Sequence, residues 1–205
     1  MTDLLEVLSL SLRIALCATA AITIIGVPLA FAMARHKFAF KSVLETILIV
    51  PLVLPPTVVG YLILATLGRA IVFRFEGAVL AAAVVGLPLL YLSAKAGFAS
   101  VDREFEDLAR IAGASSPQMF LHVSLPLARR GIVSGLVLAF ARALGEFGAT
   151  VMVFGWRPHR LTLPISIYAD YEQGEMSHAA GAVVALSAAS LLLVALHNRM
   201  AGRSD

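Results

Sequence analysis

Residues 14–34 read IALCATAAITIIGVPLAFAMA, a run without a formal charge that is closed by Arg35-His36-Lys37. A bilayer core about 30 Å thick takes about 20 apolar residues of α-helix, so this run predicts a membrane-crossing helix. It is apolar on every face, whereas a strand of a membrane barrel alternates apolar and polar residues over about ten positions. Working outward, four more runs of the same kind cover residues 46–67, 77–94, 131–154 and 179–196. The predicted fold is therefore all-α and polytopic, with about five transmembrane helices in a single membrane domain over residues 1–205. Only the fourth run contains formal charges, Arg142 and Glu146.

Composition agrees, since the chain is 60% hydrophobic and 14% charged, a balance that a water-soluble domain of this size does not carry. Asp3 and Glu6 stand before the first run, where a cleavable leader would be basic, so that run is read as a retained anchor. Cys17 is the single cysteine and is read as a small apolar residue, with no disulfide framework to build. The net charge of +3 comes from loop lysines and arginines, which set membrane orientation rather than nucleic-acid binding. Arg35, Lys37, Lys41, Lys95, Arg103, Arg110, Arg129, Arg130, Arg199 and Arg203 fall on one side, against Arg13, Arg69, Arg74, Arg157 and Arg160 on the other. The positive-inside rule places the N-terminus outside and the C-terminus in the cytoplasm.

The longest stretch on the basic side, residues 100–130, carries helix signals. It opens with Ser100-Val-Asp102 as a candidate N-cap, with Asp102 and Glu104 favoured by the positive end of the helix dipole. Phe105, Leu108, Ile111 and Ala112 recur at helical spacing, opposite Asp102, Glu106, Asp107 and Arg110. The Gly113-Ala-Ser-Ser116 turn stops this amphipathic helix, and Pro117 opens a second one that ends near Leu125-Pro126. Pattern alone leaves two readings open: the helix lies on the membrane surface, or it docks on a partner.

Glu106-Asp-Leu-Ala-Arg-Ile-Ala-Gly113 followed by Phe120-Leu-His-Val-Ser-Leu-Pro126 resembles the cytoplasmic signature of ABC importer permeases: a Glu-Ala-Ala run, a glycine after three intervening residues, and a later Leu-Pro. The run here is Asp107-Leu108-Ala109, with Leu108 in place of an alanine. The resemblance implies a coupling helix that docks on an ATP-binding subunit through Glu106, Asp107, Leu108, Ala109, Arg110, Gly113, Ala114, Phe120 and Pro126. Small Ala109 and Gly113 suit close approach, and Asp107 and Arg110 could pair across an interface. Pro51-Leu-Val-Leu-Pro-Pro-Thr-Val-Val-Gly60, Ala139-Phe-Ala-Arg-Ala-Leu-Gly-Glu-Phe-Gly-Ala-Thr150 and Leu161-Thr-Leu-Pro-Ile-Ser-Ile-Tyr168 are similar to the molybdate permease branch, with sulfate permeases as near relatives. The connection over residues 68–76 is shorter than the family pattern.

The resemblance implies a type I importer permease in the inner membrane for a tetrahedral oxyanion, molybdate or tungstate, with sulfate or thiosulfate as the alternative. It implies a symmetric homodimer, an ATP-binding subunit that carries the ATP and Mg, an external oxyanion-binding protein, and no cofactor on this chain. The chain itself has no Gly-x-x-x-x-Gly-Lys-Ser/Thr loop, so ATP hydrolysis is expected elsewhere. Neither a Ser-His-Asp nor a His-Glu-x-x-His arrangement is present.

Arg142 and Glu146 stand at i,i+4 and share one helix face, where they can neutralise each other. A charge at the bilayer centre costs about 2.5–3.5 kcal/mol, so this face must meet protein or water. The pair is either a structural lock or, with Arg142 on the anion's route, part of the pathway. Gly145, Gly148, Ala141 and Ala149 form a small-residue strip suited to helix contact. Pro51, Pro55 and Pro56 bend or break the second span, to shape packing or to line a gate. Residues 155–178 are read as an external stretch, in which Trp156, Tyr168 and Tyr171 form an interface belt and an external binding protein docks. His159 and His178 are read as loop polar residues rather than metal ligands. Two rivals remain: an ATPase-independent secondary anion transporter using Arg142 and Glu146, and a membrane scaffold that recruits a partner.

Overall fold

A computed structural model describes residues 4–156 and 161–201. The readings placed on Asp3, Arg157, His159, Arg160, Arg203 and the side chain of Arg69 fall outside what it describes. Among the described residues every regular element is helical: α1 Leu4–Arg35, α2 Lys41–Val53, α3 Pro56–Leu67, α4 Phe75–Ala99 and α5 Arg103–Ile111. These are followed by α6 Ser116–Leu127, α7 Arg129–Leu144, α8 Gly148–Phe154, α9 Leu163–Glu172 and α10 Met176–Ala201.

Among the described residues three helices, α1, α4 and α10, are long and apolar enough to cross a membrane unbroken, and the number rises to five if each of two bent pairs counts as one span. α1 begins ten residues before the expected Ile14, because residues 4–12 are themselves largely apolar and Glu6 sits in the favourable first turn. Pro28 lies inside it without breaking it, as membrane helices allow.

The span over 46–67, expected to be bent or broken by its prolines, is two helices bent by 119°. Of the three prolines, Pro51 stays inside α2 while Pro55-Pro56 makes the break. Leu54, forced out of the helical region by the following proline, is extended at φ −67° and ψ 141°. Pro56 then opens α3 at a position where the missing N–H costs nothing. The expected helix over 131–154 is also broken, between Leu144 and Gly148, and the bend of 74° lies earlier, between α6 and α7.

α4 is the central column. Leu90, Tyr91, Ala94 and Phe98 are fully buried, and α1 and α7 pack along it. The α4–α7 crossing is set by glycine: a Cβ on Gly131 would stand 2.7 Å from Gly97 Cα, so only small residues let these backbones approach. The outer faces are apolar, with Leu16, Ile24, Ile25, Val53, Val184, Leu191 and Leu192 exposed, a surface suited to lipid or partner helices rather than water.

The stretch read as an external loop is largely structure. Leu163 and Ile165 are fully buried and pack with Val7 and Ala182, while Ser11 Oγ of α1 accepts from the Leu163 amide at 2.7 Å. α9 is thus built into the bundle between α1 and α10. Phe147, Trp156 and Tyr171 gather around Tyr168, with ring centroids 5.2, 5.8 and 6.5 Å from it.

Candidate functional site

The α5–α6 segment is a pair of helices held at one end of the bundle. Asp102 caps α5 by accepting from the Glu104 amide at 3.1 Å. Gly113, at φ 89°, makes the turn that a side chain would strain. Gln118 then accepts from the Ser115 amide at 2.8 Å to start α6. Within α6, residues Phe120–Ser124 widen to a π-helical turn in which the Leu125 amide donates to Phe120 O. This turn falls beside Pro126, which has no N–H to give, and carries the helix to Leu127, past its expected end.

α5 exposes its apolar face along with most of its charges, and buries one acid. Phe105, Leu108 and Ile111 are exposed, Ile111 at 84%, whereas the acidic Glu106 is 5% exposed. Glu106 Oε1 receives Arg35 Nε at 2.8 Å and Ser124 Oγ at 2.8 Å. Arg35 also donates through Nη2 to Val101 O at 2.9 Å. Beside this knot, Phe31 packs on Phe98 and Phe120 at centroid distances of 5.2 and 4.9 Å. Of the residues singled out for docking, Asp107, Leu108, Arg110, Gly113 and Pro126 are exposed, and Ala109 and Ala114 are half-buried. Glu106 and Phe120 turn inward. Asp107 and Arg110, expected to reach across an interface, pair with each other at 2.8 Å.

The same end gathers most of the basic residues read as one side of the membrane. Lys95 meets Glu45 at 2.5 Å, joining α4 to α2. Ser134 and His197 Nδ1 lie 2.7 Å apart, joining α7 to α10. Arg130, Gly97 and Met200 line a common cavity of about 470 Å³.

A second constellation forms where the two helix breaks meet. A Cβ on Gly60 would stand 2.9 Å from Ala149 Cα, and one on Gly148 would stand 3.0 Å from Pro56 Cβ, so α3 and α8 are in backbone contact. Glu146, 2% exposed, accepts from the Ala149 amide at 2.7 Å and so caps α8. Its other oxygen lies 2.6 Å from Arg142 Nη1, an ion-pair contact off the line of a hydrogen bond. The two side chains are unequally placed, 29% exposed for Arg142 and 1% for Glu146. Gly148 and Ala149 serve the close packing expected of the small-residue strip. Gly145 does not: it is exposed, and a Cβ there would meet only Ala141 O at 3.6 Å.

The model of one protein family, described as binding-protein-dependent transport system inner membrane component, matches residues 26–205. The chain belongs to this family. As a binding-protein-dependent transport permease it is a multi-pass membrane protein and a permease subunit of an ABC transporter rather than an enzyme. It is 37% identical over 186 residues to the molybdenum transport system permease protein ModB of Escherichia coli (strain K12), covering 82% of this chain and 81% of that protein. It is 33% identical over 213 residues to the molybdate/tungstate transport system permease protein WtpB of Methanocaldococcus jannaschii, covering 98% and 84%. In fold the permease is similar to a chain of the inward-facing MetNI methionine ABC transporter, with a TM-score of 0.74 at 16% identity over 96% of this chain and 94% of that one. A chain of a bacterial ABC transporter involved in the import of the acidic polysaccharide alginate gives a TM-score of 0.70 at 16% identity, covering 98% of this chain and 79% of that one.

Glu106 as an anchor escaped the sequence reading. A charge on an amphipathic helix reads as solvent-facing, and its partner Arg35 stands 71 residues away.

Proposed function

We propose that this permease imports a tetrahedral oxyanion, molybdate or tungstate, in a complex driven by ATP. The observation that carries the coupling is the exposed apolar face of α5: anchored through Glu106, the helix offers Phe105, Leu108 and Ile111 outward. An exposed apolar patch flanked by charge is a protein-docking surface, and α5 docks there on an ATP-binding subunit, together with Asp107, Ala109, Arg110, Gly113 and Ala114. ATP and Mg belong to that subunit. The names carried by the ModB and WtpB relatives support the choice of oxyanion over sulfate.

In this reading the whole chain is one permease domain in the plasma membrane. The α5–α6 end and the C-terminus face the cytoplasm and the N-terminus faces outside. The basic residues gathered at one end support that orientation. A second copy completes the pathway by two-fold symmetry, and an external binding protein delivers the anion at the far end. The meeting of the two helix breaks, with Pro55, Pro56, Gly148, Arg142, Gly145 and Glu146, lines the route. Glu146 is fixed by capping α8, so Arg142 is the partner that can exchange its contact for a passing anion.

The test is ATP hydrolysis by the complete complex in nanodiscs, with the binding protein and each oxyanion in turn. Stimulation by molybdate or tungstate is expected. Stimulation by sulfate alone would move the assignment to the sulfate branch, and uptake without the ATP-binding subunit would remove the ABC mechanism.

A further inference from the structure

The end of α1 converges with three points of the distant 101–124 stretch on one buried knot. Arg35 ends α1, Val101 follows α4, Glu106 lies on α5, and Ser124 closes the π-helical turn of α6. The Arg35 and Glu106 side chains are 8% and 7% exposed, and Ser124 is fully buried. The contacts are directional: Glu106 Oε1 takes both Arg35 Nε and Ser124 Oγ, while Arg35 Nη2 holds Val101 O. Arg103, in the first turn of α5, donates back to Arg35 O at 3.3 Å. The Phe31, Phe98 and Phe120 rings fill the space beside the knot and carry contact from α1 to α4 and α6.

We infer that the Arg35–Glu106–Ser124 knot is a rigid joint that makes α1 move with α5, so that α1 carries displacement of the docking helix into the membrane. A joint of this kind needs three properties, and each is present. The charges are shielded from water, which strengthens their attraction. The hydrogen bonds fix direction as well as distance. Glu106 is bound from two elements at once, so α5 cannot turn without dragging both. The sparing of Phe105, Leu108 and Ile111 from this packing leaves the opposite face free for the partner. Glu106 and Arg35 are thus positioning residues for energy coupling and do not themselves meet the anion.

The inference rests on the docking of α5 proposed above, and its test keeps the two apart. Spin labels on exposed positions of α1 and α5 are followed in the nanodisc complex with and without nucleotide. The α1–α5 separation is expected to stay constant in the wild-type chain while the distance from α5 to α10 changes. In Glu106→Gln, and to a smaller degree in Ser124→Ala, the α1–α5 separation becomes nucleotide-dependent. Oxyanion uptake per ATP hydrolysed then falls, by about fivefold or more in Glu106→Gln. A wild-type α1–α5 separation that varies between nucleotide states overturns the joint, as does an unchanged uptake ratio in both variants. Failure of the ATP-binding subunit to associate with the wild-type chain would instead refute the docking.

Discussion

Arg142 and Glu146 hold each other at 2.6 Å across a break in the helix that was expected to carry both. The carboxylate spans the break: one oxygen accepts from the Ala149 amide ahead of it and the other faces Arg142 behind it. Removal of Glu146 takes away the cap and leaves a guanidinium inside the membrane domain. Glu146→Ala is expected to destabilise the permease by about 3 kcal/mol, and Glu146→Gln, which can still accept from Ala149, by less. Thermal unfolding of the purified complex checks the order. Equal melting temperatures for wild type and Glu146→Ala would reject it.

The contact of Gly60 with Ala149 leaves no room for a methyl group. Gly60→Ala would place a Cβ 2.8 Å from Met152 Cβ and 2.9 Å from Ala149 backbone atoms. The cost of such overpacking is about 1–3 kcal/mol. Gly86→Ala, whose nearest neighbour would be 3.4 Å away, should change stability far less. The two variants measured side by side by thermal unfolding separate crowding from helix propensity.

Ser11 is the acceptor for the Leu163 amide, and both are buried. In Ser11→Ala that amide loses its partner, at about 1–3 kcal/mol. The consequence should be local, with faster amide hydrogen exchange at the start of α9 while α4 is unchanged. Unaltered exchange in α9 would show that the bond contributes nothing.

Ile111 is 84% exposed, so Ile111→Asp should leave the helical content of the chain intact. It should weaken recovery of the ATP-binding subunit by about tenfold, as loss of a central apolar anchor does. Circular dichroism and co-purification read the two effects independently. Undiminished recovery would mean that α5 docks by another face.

The membrane helices were legible because lipid burial writes itself into composition: residues 14–34 and 179–196 need no partner to be recognised. A cap within Ser100-Val-Asp102 and the stop at Gly113 were legible because they follow from local backbone chemistry, and the structure puts the cap on Asp102. The Pro55-Pro56 break was visible as a bend, but neither its 119° angle nor the contact of α3 with α8, some ninety residues on, is recorded in any local pattern. α9 was missed because an aromatic-rich segment with mixed charge reads as an interface loop, while its burial rests on Val7 and Ser11 at the other end of the chain. The inward turn of Glu106 was hidden for the same reason.

The close fit of α3 to α8 also bears on how the protein is made. Gly60 emerges from the ribosome long before Ala149, yet these two backbones must touch for either half to be packed. Until translation has passed Ala149, the stretch after Pro55 has only α4 to pack on, through Ala81 and Val85 against Val59 and Ile63, and its α8-facing side must be sheltered by lipid or an insertion factor. The order of synthesis therefore makes α8 the segment that completes assembly of this corner, and a nascent chain truncated before residue 148 would hold α3 in an unfinished arrangement.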